Sequence, residues 1–266
     1  MLFFREPINN DNVLPLLPRR LVAAPVTVVN PLPVLIVVHQ ERSTPGRVGN
    51  TLRDLGYRLD IRRPRFGDPL PETLHGHAGA VIFGGPMSAN DPDDYVRREI
   101  DWIEVALREQ RPFLGICLGA QMLAMQLGAK VAPHARGLTQ IGYYPIRPTP
   151  AGGALCPNWP DQVYHWHREG FGLPAGCELL AEGDDFPVQA FRTGNAFGFQ
   201  FHPDVTTAMM HCWTARGSLD QPGAQPRHRH FEGRAMYDVA ERAWLKNFIE
   251  NWLALMPAAP IAQAAE

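Results

Sequence analysis

Residues 34–38, Val34-Leu-Ile-Val-Val38, are an unbroken run rich in β-branched side chains, the pattern of a strand buried on both faces. After a loop carrying Ser43-Thr-Pro-Gly46, Val48, Leu52 and Leu55 recur at helical spacing and stop at Gly56, and residues 57–61 alternate as a second strand. Ala78-Gly-Ala-Val-Ile-Phe83 is a third strand and ends in Gly84-Gly85-Pro86. Over residues 95–107, Ile100, Ile103 and Leu107 share one helical face. Pro112-Phe-Leu-Gly-Ile-Cys117 then reads as a buried strand and Gln121-Met-Leu-Ala-Met-Gln-Leu127 as a helix. Strand, helix, strand, strand, helix, strand, helix is the order of an α/β domain built on an open, mostly parallel sheet with crossover helices on both faces. In such sheets ligands bind at the carboxyl ends of the strands.

Beyond Gly128 the segments shorten. Residues 130–133, 140–146, 162–166, 188–192 and 196–201 read as strands of a small mixed or antiparallel portion of the same domain. Residues 148–160, with Gly152-Gly153 and several prolines, read as a loop, and residues 218–233 as a second irregular stretch. An amphipathic helix over 235–255 carries Trp244, Phe248 and Trp252. Ahead of the domain, residues 1–32 form a proline-rich arm whose leucines would dock on the body or on a second subunit, leaving a homo-oligomer open. The expected organisation is thus an arm at 1–32, one domain at 33–255 and a tail at 256–266.

With 266 residues and a formal charge of −2, the chain is long enough for a substantial core and offers no basic field for nucleic acid. No apolar run is long enough to span a bilayer, and the first residues lack the basic and apolar regions of a signal peptide. The four cysteines, Cys117, Cys156, Cys177 and Cys212, show no metal-binding spacing and read as reduced thiols of a cytoplasmic protein. No cofactor motif stands out.

Cys117 sits between Gly115 and Gly119 where a strand turns into a helix. A nucleophile on such a strained turn needs small neighbours, and the helix N-terminus beyond it favours a thiolate. The plain alternative is a structural cysteine in a core strand. A cysteine nucleophile needs a base and an orienter for that base, brought together by the fold. Among ten histidines, His202 ends an alternating strand, and Pro203 can turn Asp204 back onto its ring. Taken alone, Asp204 reads more simply as a helix N-cap ahead of Val205-Thr-Thr-Ala. Gly84-Gly85-Pro86, an ordinary turn by itself, could bring backbone N–H donors to a developing oxyanion. His165 and His167 would share a strand face as site-lining residues; His228 and His230, without a third ligand, read as solvated rather than metal-binding.

In combination, Phe83-Gly-Gly-Pro86, Gly115-Ile-Cys117-Leu-Gly-Ala-Gln121 and Gly198-Phe-Gln-Phe-His202-Pro-Asp204 resemble the class I (triad) glutamine amidotransferase family, in particular stand-alone members related to the amidotransferase domain of GMP synthetase. Further matching segments are Ile141-Gly-Tyr-Tyr-Pro145, Trp166-His167, Phe171-Gly-Leu-Pro174, Leu179-Leu-Ala181 and Gln189-Ala-Phe191, so the resemblance spans about residues 33–255. It implies a flavodoxin-like architecture, a catalytic triad of Cys117, His202 and Asp204, and an oxyanion hole from the N–H groups of Gly85 and Leu118. It also implies substrate contacts at Gly84, Gln121, Trp166 and His167. Glutamine would be cleaved to glutamate and ammonia through a γ-glutamyl thioester.

Three positions depart from the family's usual pattern: Asp204 stands where glutamate is usual, Arg168-Glu169 where glycine and aspartate are frequent, and Gln140 where glutamate is common. The first bears on catalytic efficiency, the others on which γ-glutamyl compound is cleaved. A γ-glutamyl peptidase or hydrolase acting on a small conjugate, and a catalytically silent regulatory homologue, are the competing expectations. The sequence has neither a pyrophosphatase loop nor a Walker A motif, so an ammonia acceptor or synthetase subunit would lie on another chain.

Overall fold

In the computed structural model, which describes residues 31–256, the first apolar run is strand β1, Val34–Val37. Most of the expected arm, and all of the tail but Met256, lie outside the described residues. Helix α1 (Gly46–Asp54), β2 (Leu59–Arg62), β3 (Gly79–Ile82), α2 (Asp94–Arg108), β4 (Phe113–Ile116) and α3 (Leu118–Gln126) follow in the expected order. Strands β5 (Val131–Pro133), β6 (Gln140–Pro145) and β7 (Arg147–Pro148), helix α4 (Pro150–Leu155), and strands β8 (Gln162–His167), β9 (Glu169–Phe171), β10 (Glu178–Glu182), β11 (Ala190–Thr193) and β12 (Ala196–Phe199) come next. Helices α5 (Thr207–Arg216) and α6 (Arg227–Ala254) complete the described chain.

The main sheet runs β2-β1-β3-β4-β12-β11-β10-β7. Its first five strands are parallel and its last three antiparallel, which is the mostly parallel α/β class read from the sequence. Two small antiparallel pairs, β5 with β9 and β6 with β8, stand outside it. Successive residues of β1 face opposite sides. Val34 and Ile36 enter a core with Trp244, Phe248 and Trp252 of α6, while Leu35 and Val37 enter one with Ile100 and Ile103 of α2. The three aromatic residues of α6 recur every four positions, so they lie on one face, and truncating any of them to alanine would cost about 3–5 kcal/mol.

Two stretches read as irregular are helical. Within 148–160, α4 forms because Pro150 occupies a first-turn position and the Thr149 hydroxyl accepts from Gly152 N–H at 3.1 Å. Gly152, a poor helix former, lies so close to the Leu180 carbonyl that no side chain would fit there. Within 218–233, α6 begins at Arg227, ahead of any apolar periodicity. His230, expected to be solvated, is fully buried in that helix; it accepts from the Tyr164 hydroxyl at 2.8 Å and donates to Gln225 O at 2.9 Å. A polar residue with two tertiary partners leaves no periodic trace in sequence.

Candidate active site

Three adjacent parallel strands carry the three motifs to one edge. β3 delivers Gly84-Gly85, β4 delivers Cys117, and β12 delivers His202, with Ile116 in register with Phe199. Cys117 N–H donates to Phe199 O at 2.7 Å, and four residues past Phe199 the chain turns at Pro203. Cys117 adopts φ 50° and ψ −103°, a conformation an L-residue holds only at a cost of about 1–3 kcal/mol. The surroundings impose it: Gly115 packs on Gly119 backbone and Gly119 on the Ile82 carbonyl, at separations that admit no Cβ. The result is an elbow with the cysteine at the N-terminus of α3.

His202 is 4% exposed and its Nδ1–H donates to Asp204 Oδ1 at 3.1 Å. Thr206, not Asp204, caps α5, its hydroxyl accepting from Met209 N–H at 3.2 Å, so the aspartate is free to turn inward. Burial alone would discharge the His202 ring, but the adjoining Cys117 and the Asp204 carboxylate push its pKa up to about 10 by charge and hydrogen bonding. Gly84 leaves room for this ring: a Cβ there would lie 2.6 Å from His202 Cε1 and 3.4 Å from Cys117 Cβ. Gly84 thus packs under the ring and is not among the residues lining the cleft.

The cleft beside Cys117 is lined by Gly85, Leu118, Gln121, Trp166 and His167, all expected, and by Arg168 and Glu169 among others. The β6–β8 pair walls it, placing the Trp166 carbonyl 3.9 Å from Cys117 Sγ. His167 Nδ1–H donates to Glu169 O at 3.0 Å, so its Nε2 is left to accept from His165 Nδ1–H at 3.2 Å. Burial and the nearby His202 charge push His167 down to about 3, and burial with both neighbours holds His165 well below the ordinary range. His165, expected to line the site, instead sits behind His167 and outside the cleft lining. Gln200 escaped notice in the sequence: its side-chain N–H lies 3.9 Å from Cys117 Sγ, and its carbonyl accepts from Gln121 at 3.4 Å. The signal was present, since Gln200 and His202 are two apart on an alternating strand. Among the described residues, no group of three or more His, Cys, Asp or Glu side chains could hold a metal ion, and no helix is long and apolar enough to cross a membrane.

A family model described as "Glutamine amidotransferase class-I" matches residues 41–212. The glutamine amidotransferase-like protein YfeJ of Salmonella typhimurium is 32% identical over 222 residues, covering 79% of this chain and 90% of that one. The glutamine-hydrolysing GMP synthase of Porphyromonas gingivalis is 34% identical over 141 residues, which cover 51% of this chain and only 26% of the synthase. Among solved structures, a glutamine amidotransferase of Thermotoga maritima superposes with a TM-score of 0.75 at 28% identity, covering 84% of this chain and 98% of that one. One from Methylobacillus flagellatus gives 0.80 at 22% identity, covering 89% and 100%.

Proposed function

Because the chain belongs to the class-I glutamine amidotransferase family, whose chemistry is transfer or hydrolysis of the glutamine amide, we propose that it hydrolyses glutamine to glutamate and ammonia through a thioester on Cys117. The observation that carries this reading is the elbow cysteine meeting a buried, aspartate-oriented histidine at the mouth of a cleft. Cys117 Sγ attacks the side-chain carbonyl carbon as its proton passes to His202. The N–H groups of Gly85 and Leu118 receive the oxyanion. On collapse the C–N bond breaks, His202 returns the proton to nitrogen, and ammonia leaves. Water, losing a proton to His202, then attacks the thioester carbonyl; the C–S bond breaks, and glutamate and the free thiol are released. Gln121, Trp166 and His167 would shape the glutamyl pocket.

Glutamate release from glutamine, measured for the full chain and for Cys117→Ala, tests the proposal. Activity in the wild type and none in the variant is expected; equal activity in both would reject the cysteine mechanism. Arg168 and Glu169 in the cleft lining favour a second reading, a γ-glutamyl hydrolase whose substrate carries a larger leaving amine. A panel of γ-glutamyl conjugates separates the two: preference for free glutamine by orders of magnitude in kcat/KM rejects it. If Cys117 alkylates with iodoacetamide no faster than free cysteine, the silent-homologue reading gains. The catalytic unit in this proposal is residues 33–255, working in a reducing compartment such as the cytoplasm. Any acceptor for the ammonia lies outside residues 33–255.

A further inference from the structure

His39, two residues past β1, and Glu99, on α2, are both fully buried and lie outside the cleft lining. His39 Nε2 lies 2.7 Å from Glu99 Oε2, and its Nδ1 lies 3.1 Å from the carbonyl oxygen of Gly84. The other Glu99 oxygen has no partner among the described residues. Such a pair is a poor device for stability alone, because apolar side chains of similar volume serve a core as well or better. Its contacts point instead to the loop that follows β3.

The Gly84 carbonyl can only accept, so Nδ1 must carry a proton, and a second proton is shared between Nε2 and Oε2. Whichever of those two atoms holds the second proton, the pair is neutral overall and both hydrogen bonds persist. In a planar trans peptide the carbonyl of one residue and the N–H of the next point in opposite directions, and no cis peptide occurs among the described residues. Anchoring the Gly84 oxygen on His39 therefore turns the Gly85 N–H away from His39. Gly85 lines the cleft beside Cys117. Between two glycines this peptide is the least restrained link in the loop, so an external anchor is needed to hold it.

We propose that His39, braced by Glu99, is a positioning residue that locks the Gly84–Gly85 peptide with its N–H presented to the oxyanion. The inference rests on the reading of Gly85 as an oxyanion donor. It is tested in the full chain with His39→Leu/Glu99→Leu, which replaces the pair by apolar side chains without stranding a charge, and with His39→Asn/Glu99→Leu, whose asparagine amide N–H stands near the Nδ1 position. Crystal structures report the direction of the Gly84 carbonyl. Steady-state kinetics report kcat and KM for glutamine. Iodoacetamide alkylation of Cys117, which displaces iodide at a methylene and builds no oxyanion, serves as the control.

In the double-leucine variant the carbonyl should rotate away and kcat should fall about 10- to 100-fold, with KM and the alkylation rate changing less than about threefold. His39→Asn/Glu99→Leu should recover most of that loss. A Gly84 carbonyl left in place in the folded double-leucine variant, or alkylation falling in parallel with kcat, would overturn the inference. Should the wild type hydrolyse neither glutamine nor γ-glutamyl conjugates, the hydrolase reading fails by itself. The carbonyl direction then decides alone whether His39 holds the peptide.

Discussion

Replacing Asp204 by asparagine keeps the shape of the side chain and removes its charge. In the wild type, burial opposes charging of His202, and Cys117 together with Asp204 reverses this, carrying the pKa from 6.5 to about 10. That difference amounts to about 5 kcal/mol favouring the protonated ring. If Asp204 supplies roughly half, its loss costs ~2–3 kcal/mol in the state where Cys117 has passed its proton to His202, or about a hundredfold in rate. The assay is the rate of Cys117 alkylation by iodoacetamide as a function of pH, with kcat for glutamine alongside. At pH 7 both should fall about a hundredfold in Asp204→Asn. Stability gives a second readout. A histidine whose pKa is raised on folding contributes stability fully below its unfolded value of 6.5, and this is lost as pH rises through about 10. Urea midpoints should therefore decline over that window in the wild type and decline less in the variant. Superimposable alkylation profiles and equal declines would refute the assignment of charge stabilisation to Asp204.

Gly84→Ala would set a methyl 2.6 Å from His202 Cε1, and displacing the ring should lower kcat by about 10- to 100-fold while leaving KM nearly unchanged; glutamate release measures it. In Gly119→Ala the new methyl runs into the Ile82 carbonyl, backbone against backbone with no side chain able to yield, and urea unfolding should show a loss of more than about 3 kcal/mol. His167 is held neutral down to about pH 3, so its contribution is present above 6.5 and is lost as pH falls toward 3, at about 1.4 kcal/mol per pH unit. The stability gap between wild type and His167→Gln should narrow from pH 6.5 to pH 4, and parallel curves would count against it. Buried Glu241, raised to about 7 chiefly by burial, shifts stability the opposite way, but equally in both proteins, and drops out of the difference.

The parallel half of the sheet was legible because strands buried on both faces, such as Val34–Val37 and Phe113–Ile116, write continuous apolar runs. The order of the three motifs was legible too, but not their adjacency: that β12 inserts beside β4 depends on long-range pairing that no local pattern records. Helices α4 and the start of α6 were hidden because tertiary contacts of Gly152 and His230 overrode weak local signals. Glu99 could have been found. It shares a helical face with Val96, Ile100 and Ile103, and a carboxylate on an apolar face demands a buried partner.

The shorter Asp204 side chain, where the resemblance leads one to expect glutamate, still reaches His202, and its backbone position explains why. The N–H of Arg47 donates to the Asp204 carbonyl at 2.7 Å, and Gly46, at φ +49°, packs so tightly against that carbonyl that no Cβ could intervene. The Arg47 side chain pairs in turn with Asp238 and Glu241 of α6. Arg234, on the same helix, donates to the Val205 carbonyl at 3.0 Å. Residues 204 and 205 are thus gripped from α1 on one side and α6 on the other, while His202 N–H is fixed on the Tyr164 carbonyl at 2.7 Å. These contacts seat the backbone where an aspartate side chain is long enough to reach the ring. It follows that the reach of this carboxylate depends on α1 and α6, elements remote in sequence from the cysteine elbow, and that a change at Gly46 or Arg47 would act on His202 without touching the cleft.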